Sequence, residues 1–269
     1  MLLFDSHAHY DDARFSAEYI GGSTAALREA RRIGVEYIVN AGSDIESSRR
    51  SVLLARLSAD DGSVPEIYAA VGIHPQETSS YDSLDAAMAE ISGLAASPRV
   101  VAIGEIGLDY HYPETDKAAQ QELFSAQLRL AEELALPVVI HDRDAHGDTF
   151  DILKRHCNVR ALLHCYSGSA EMARQYADMG FYFSFGGVLT YKNAVKTREA
   201  AAAVPRERLL LETDCPYLAP TPHRGKLNFS GYLPYTAAAL GAVIGMTADE
   251  AAELTAHNAM KYFGIPCIE

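Results

Sequence analysis

Pro137-Val138-Val139-Ile140-His141-Asp142 runs from a helix-breaking proline through three aliphatic residues to a histidine, and Ala161-Leu162-Leu163-His164-Cys165 repeats the pattern one element later. A continuous aliphatic run of this length, with no polar alternation, fits a strand buried on both faces of a parallel sheet. Further runs of the same character lie on either side, at Leu2–Phe4, Tyr37–Ala41, Ile67–Ile73, Val100–Ile106, Phe181–Phe185 and Leu209–Leu211.

Helical patterns fill the intervals. Leu84, Ala87, Met88, Ile91 and Leu94 recur at helical spacing, as do Ala119, Leu123, Ala126, Leu130 and Leu134, with Glu122, Arg129 and Glu133 on the opposite side. Pro137 and Pro205 stop helical segments just before strands. Thr247-Ala248-Asp249-Glu250 has the form of a capping box, so a last helix over Ala248–Phe263 is expected as an extra element closing the fold. Strand–helix alternation repeated eight times predicts an α/β protein with a closed (β/α)8 barrel of the TIM type rather than an open doubly wound sheet. No internal repeat or linker divides the chain, and Pro216–Pro222 follows a strand directly and reads as a loop. Residues 1–269 are therefore expected to form a single domain.

Composition narrows the function classes. There are 23 basic against 36 acidic residues, a net charge of −13, which argues against extended nucleic-acid binding by phosphate neutralisation. A short phosphate-bearing substrate held by cations is compatible with it, because bound ions reverse the local field. The four cysteines, Cys157, Cys165, Cys215 and Cys267, form no C-x-x-C pair and read as buried free thiols in a reducing compartment. No signal peptide or transmembrane run is evident, so the expectation is a cytoplasmic protein, off the membrane, working as a monomer without an obligate protein partner.

Polar residues cluster where the strands end. His7 and His9, in Asp5-Ser6-His7-Ala8-His9, are two apart after the first run and project to the same side in extended chain. Glu105 stands between glycines in Ile103-Gly104-Glu105-Ile106-Gly107-Leu108-Asp109-Tyr110, where an unpaired carboxylate would be costly. His141 and His164 close the fifth and sixth runs, and Asp214 closes the eighth in Leu209-Leu210-Leu211-Glu212-Thr213-Asp214. A barrel gathers all strand C-termini at one mouth. His7, His9, Glu105, His141, His164 and Asp214 thus exceed the needs of one tetrahedral ion and suit two divalent ions with Glu105 between them. Glu212, two residues before Asp214 and facing the same way, is expected either to support the ligands by hydrogen bonding or to play a purely structural part. Imidazoles favour Zn²⁺, Mn²⁺ or Fe, while the carboxylates are compatible with Mg²⁺.

These segments, together with Val71-Gly72-Ile73-His74-Pro75, His141-Asp142-Arg143-Asp144-Ala145, His164-Cys165-Tyr166-Ser167-Gly168-Ser169 and Asp214-Cys215-Pro216-Tyr217-Leu218-Ala219-Pro220, resemble the TatD family of metal-dependent deoxyribonucleases over nearly the whole chain. The resemblance implies that His7, His9 and Asp214 hold one ion, that His141 and His164 hold the other, and that Glu105 bridges. It also implies phosphodiester hydrolysis from the 3′ ends of DNA. Two departures stand out: Leu227 and Phe229-Ser230 in Arg224-Gly225-Lys226-Leu227-Asn228-Phe229-Ser230, and Asp142 after His141 where a small hydroxyl residue is commoner.

The expected chemistry is a water activated by two metal ions, with Glu105 and Asp214 as the catalytic carboxylates and Asp214 orienting or deprotonating the water. Arg143, Arg224 and Lys226 are candidate phosphate contacts or solvated charges, and His74 a candidate substrate contact or a structural histidine. Tyr110 and Tyr191 either stack on a terminal base or pack. With no strong basic face, short single-stranded or frayed DNA ends are the expected substrate. The alternative is a carbonyl hydrolase acting on a cyclic amide or an aminoacyl-tRNA ester, and the third reading is a non-catalytic binding module. No lysine stands in place of Glu105 to supply a carboxylated bridge, which favours the phosphodiesterase.

Overall fold

The computed structural model describes residues 1–266; Cys267 lies outside the described residues. Eight parallel strands follow one another in chain order around a TIM barrel: β1 (Leu3–Ala8), β2 (Val35–Ala41), β3 (Glu66–Val71), β4 (Val100–Asp109), β5 (Val138–Arg143), β6 (Ala161–Leu163), β7 (Tyr182–Phe185) and β8 (Leu209–Leu211). Helices α1 (Ala13–Glu18) and α2 (Gly22–Ile33) follow β1, and α3 (Ile45–Ser58), α4 (Leu84–Ala95), α5 (Lys117–Leu134), α6 (His146–Arg155), α7 (Ala170–Asp178) and α8 (Val195–Ala203) each follow the next strand in turn. After β8 come α9 (Leu233–Ile244) and α10 (Ala248–Phe263).

Alternation along the strands sorts the apolar residues into two sets. One set, with Leu3, Ile38, Ile67, Ile103, Val138 and Leu209, packs on Leu27, Ile91, Phe124 and Leu128 of the surrounding helices. The other, with Phe4, Val39, Ala70, Ala102, Val139, Leu162 and Leu210, faces the barrel interior and meets Met260, Tyr262 and Phe263 of α10. The Tyr262 hydroxyl donates to the carbonyls of Val138 and Arg160, at the N-terminal ends of β5 and β6. The expected terminal helix therefore seals the barrel end opposite the mouth. Its capping box at Thr247 and Glu250 is formed in both directions.

Three strands run further than their apolar runs. β1 continues through His7 to Ala8, β4 through Glu105 to Asp109, and β5 through His141 to Arg143. The ladder carries them across polar residues by pairing Gly107 with His141, Leu108 with Asp142 and Asp109 with Arg143. Glu105 consequently sits within β4 rather than at its end. Between Ile103 and Ile106 the register of β4 against β5 shifts, and such a bulge re-aims a side chain. Gly107 shows why a glycine follows: its φ is +145°, and a Cβ there would lie 1.9 Å from the His141 carbonyl oxygen.

Closure between β8 and β1 rests on scattered polar contacts. Asp214 N donates to His7 O (3.0 Å) and His9 N to Cys215 O (2.8 Å), while Ser6 Oγ donates to Leu211 O (2.8 Å). Asp5, wholly buried, accepts from Thr213 N, Thr213 Oγ1 and Ser230 Oγ. Burial pushes its carboxyl up to about 7 against those hydrogen bonds. The unusual Ser230 thus belongs to the seam, and neighbouring Phe229 packs on Tyr19 and Tyr232. Asp142 turns away from the mouth to meet His146 Nδ1 at 2.8 Å. Of the thiols, Cys215 is buried and Cys165 partly so; Cys157, expected to be buried, is exposed because it follows the solvent-facing end of α6.

Candidate active site

The six expected ligands converge at the mouth. Nε2 of His7 and Nε2 of His9 lie 3.0 Å apart. Glu105 Oε2 is 3.3 Å from the first and 3.6 Å from the second, and Asp214 Oδ1 is 3.7 and 3.4 Å from the same two atoms. The other Glu105 oxygen, Oε1, lies 2.7 Å from His141 Nδ1 and 2.8 Å from His164 Nε2. One carboxylate is thereby shared between two histidine pairs. Burial opposes its ionisation, but the His164 imidazole, with a hydrogen bond from His141, holds the Glu105 carboxyl well below the usual carboxylate range. Asp214 sits in the left-handed region at φ 54°, fixed by its own N–H on His7 O and by Tyr217 N donating back to it.

The outward nitrogens of three of these rings each face an acceptor. His9 Nδ1 meets Ala41 O at 2.9 Å, His141 Nε2 faces Asp109 Oδ2 at 3.4 Å, and His164 Nδ1 faces Glu212 Oε1 at 3.6 Å. A neutral imidazole that places its proton on such an acceptor turns a lone pair on the other nitrogen inward. Three imidazoles and two carboxylates then present acceptor lone pairs to one another, an arrangement that fits cations and is unfavourable without them. His7, His9 and Glu105 form one group able to hold an ion, and Glu105, His141 and His164 another. Glu212 is fully buried and accepts from Ser184 Oγ.

His74 lies beside this cluster, with Nε2 3.7 Å from Glu105 Oε1. Its Nδ1 accepts from Gln76 N at 3.1 Å, so the neutral ring carries its proton on Nε2. In that tautomer the atom is a donor aimed into the mouth. Burial lowers the His74 pKa to about 3, with His141 adding to the effect, which keeps the ring neutral.

A cavity of about 940 Å³ opens above the cluster, lined in part by His74, Asp109, Tyr112, Arg143, Arg50 and Tyr217. Arg143 thus stands where expected. Arg224 instead stacks on Tyr191, 4.1 Å from its ring centroid, and neither it nor Lys226 is part of this lining. Tyr110 is also outside it, with its hydroxyl on Asp148 at 2.8 Å. Sequence reasoning assigned no role to Asp109, Arg50, Tyr112 or Tyr217. Asp109 continues the same strand as Glu105, but its contact with the His141 ring depends on the β4–β5 register, which the sequence does not show.

The family described as TatD related DNase matches residues 4–264. The chain is 40% identical to a metal-dependent hydrolase of Bacillus subtilis, YabD, over 98% of this chain and all of that one. It is 35% identical to a metal-dependent hydrolase of Mycobacterium tuberculosis, TatD, over 98% of each. Among solved structures it resembles YjjV, a TatD homologue from Escherichia coli, with a TM-score of 0.88 and 31% identity over 98% of both chains. The chain is a metal-dependent hydrolase and belongs to the TatD-related DNase family.

Proposed function

We propose that this hydrolase is a two-metal phosphodiesterase that removes nucleotides from the 3′ ends of short single-stranded or frayed DNA, as a monomer in the cytoplasm. The observation that carries this reading is the division of Glu105 between two histidine pairs. In the proposal His7, His9 and Asp214 would hold one divalent ion and His141 and His164 the second, with Glu105 available to both. Mg²⁺, Mn²⁺ and Zn²⁺ all suit this mixed set. Two such ions, when bound, supply an acidified water and neutralise charge on the phosphate oxygens.

The protein's own groups do the rest. Burial raises the Asp214 carboxyl, but His9 and His7 outweigh it and keep it below its ordinary value, so it is ionised at neutral pH. Its Oδ1 faces His7 and His9, and its Oδ2 would receive the proton of the attacking water. The His74 Nε2 proton is placed to donate to a phosphate oxygen, and Arg143 gives a guanidinium on the cavity wall. Glu212, with Oε1 3.6 Å from His164 Nδ1, backs the His164 ring by its charge rather than by a hydrogen bond. Arg224 and Lys226, outside the lining, act only on substrate that extends past the rim. A carbonyl hydrolase is less well supported, because Glu105 stands where a carboxylated lysine would bridge.

Digestion of a 3′-labelled single-stranded oligonucleotide with Mg²⁺, Mn²⁺ or Zn²⁺, beside Glu105→Ala, tests the proposal. Mononucleotides released by the wild type alone support it. Intact DNA under every metal, from protein whose metal content is full, refutes it.

A further inference from the structure

Two tyrosines and two arginines stand on the cavity wall, Tyr112 and Arg143 in one sector of the mouth and Tyr217 and Arg50 in the opposite one. In the β4–β5 sector, Tyr112 is 44% exposed and the Arg143 guanidinium lies 5.9 Å from its ring centroid. In the sector built by the segments after β8, β1 and β2, Tyr217 is likewise 44% exposed and donates through its hydroxyl to Asp12 Oδ2 at 2.7 Å. Arg14 covers the Tyr217 ring at 5.3 Å. Arg50 joins the same sector by donating to Asp11 Oδ2 at 3.2 Å. Asp11 is also met by Asn40 Nδ2 at 3.0 Å and Ser47 Oγ at 2.7 Å. Its charge is shared among several donors, and the remaining N–H groups of Arg50 can serve an anion.

We infer that these two sectors grip the nucleotides on either side of the bond to be cut, each with one tyrosine for a base and one arginine for a phosphate. The inference rests on the phosphodiesterase reading above and specifies its substrate as an unpaired strand contacted on both sides of the scissile phosphate. The physical reason is that a tyrosine face stacks on any base once that base is free of its complement. A duplex keeps its bases stacked on one another and offers neither ring a partner. The lining arginine of each sector, Arg143 or Arg50, suits the phosphate next along the chain, which the acidic remainder of the cavity would otherwise repel. Cleavage then depends on bases flanking the cut but not on their identity, since ring stacking reads no donor pattern.

The test compares hexathymidylate with methyl 4-nitrophenyl phosphate, a diester too small to reach both sectors, on metal-loaded protein. Tyr112→Leu and Tyr217→Leu should each lower kcat/KM for the hexamer about tenfold or more, mainly through KM. The small diester should be affected much less, and Tyr112→Phe and Tyr217→Phe should recover most of the hexamer activity because the ring remains. Equal losses on both substrates, or a hexamer cut equally well by the wild type and the leucine variants, overturn the two-sided grip alone. A hexamer left intact by a wild type that hydrolyses the small diester overturns the nuclease reading with it.

Discussion

Asp109→Asn probes how the His141 ring is held. Asp109 is buried, and both its oxygens are engaged: Oδ1 accepts from His111 N at 2.9 Å, and Oδ2 accepts from Gln76 Nε2 and faces His141 Nε2 at 3.4 Å. Burial works against its charge, but the His141 and His111 contacts hold the carboxyl down at about 2, so it is anionic throughout the neutral range. An asparagine of the same shape must turn its amide N–H₂ toward one of these donors. Toward His111 it forfeits a part-buried hydrogen bond. Toward His141 it favours the wrong tautomer and places a proton on Nδ1, the atom directed at Glu105. Loss of such a partner costs about 10–100-fold in metal affinity, or about 1.4–2.7 kcal/mol. The assay is chelator competition for Mn²⁺ or Zn²⁺ at pH 7.5, with circular dichroism and a thermal melt to verify folding. A folded Asp109→Asn protein that binds metal within about twofold of wild type would refute the idea that Asp109 sets the His141 tautomer.

Other consequences follow from the same geometry. Asp5 is raised from 3.8 to about 7, so its contribution to stability is fully present below about pH 4 and is lost as pH rises through about 7. At roughly 1.4 kcal/mol per unit the loss is about 4 kcal/mol; urea unfolding of metal-free protein should show the decline in wild type and a flatter profile in Asp5→Asn, and parallel profiles would count against it. Gly107→Ala forces a Cβ to 1.9 Å from the His141 carbonyl and should cost more than about 3 kcal/mol while displacing His141, so wild-type stability and metal content in that variant would contradict the account. His9 is raised to about 9 because its Asp214 and Glu105 partners outweigh burial, and His164 is raised by Glu105 and Glu212 against the same penalty. Metal loading must therefore expel protons at neutral pH, and apparent affinity should climb as pH rises toward about 9. Calorimetric heats that are identical in buffers of different ionisation enthalpy would rule that out.

The barrel was legible because its strands are buried on both faces, so aliphatic runs such as Val138–Ile140 and Leu209–Leu211 recur between helical patterns along the whole chain. The six candidate ligands were legible for the same reason, as polar residues interrupting or ending such runs. What the runs could not show is how far the ladder continues past them. The pairing of Gly107 with His141 and of Asp109 with Arg143 is a register fact, and register depends on the partner strand. Asp109, whose part is a contact with another residue's ring, was invisible until that register was known. Tyr112, Tyr217 and Arg50 lie on connecting segments, where no periodicity tells a side chain over the mouth from one in solvent. Arg224 and Tyr191 carry the complementary lesson, since both are of a suitable type but satisfy each other outside the cavity lining.

The central claim is a two-ion centre joined by Glu105, and elemental analysis of metal-saturated protein after exhaustive dialysis tests it most directly. Two ions per chain in the wild type, falling to one or none in a folded Glu105→Gln variant, is the result the geometry predicts. One ion per chain in the wild type, or two retained when Glu105 has lost its charge, would contradict it.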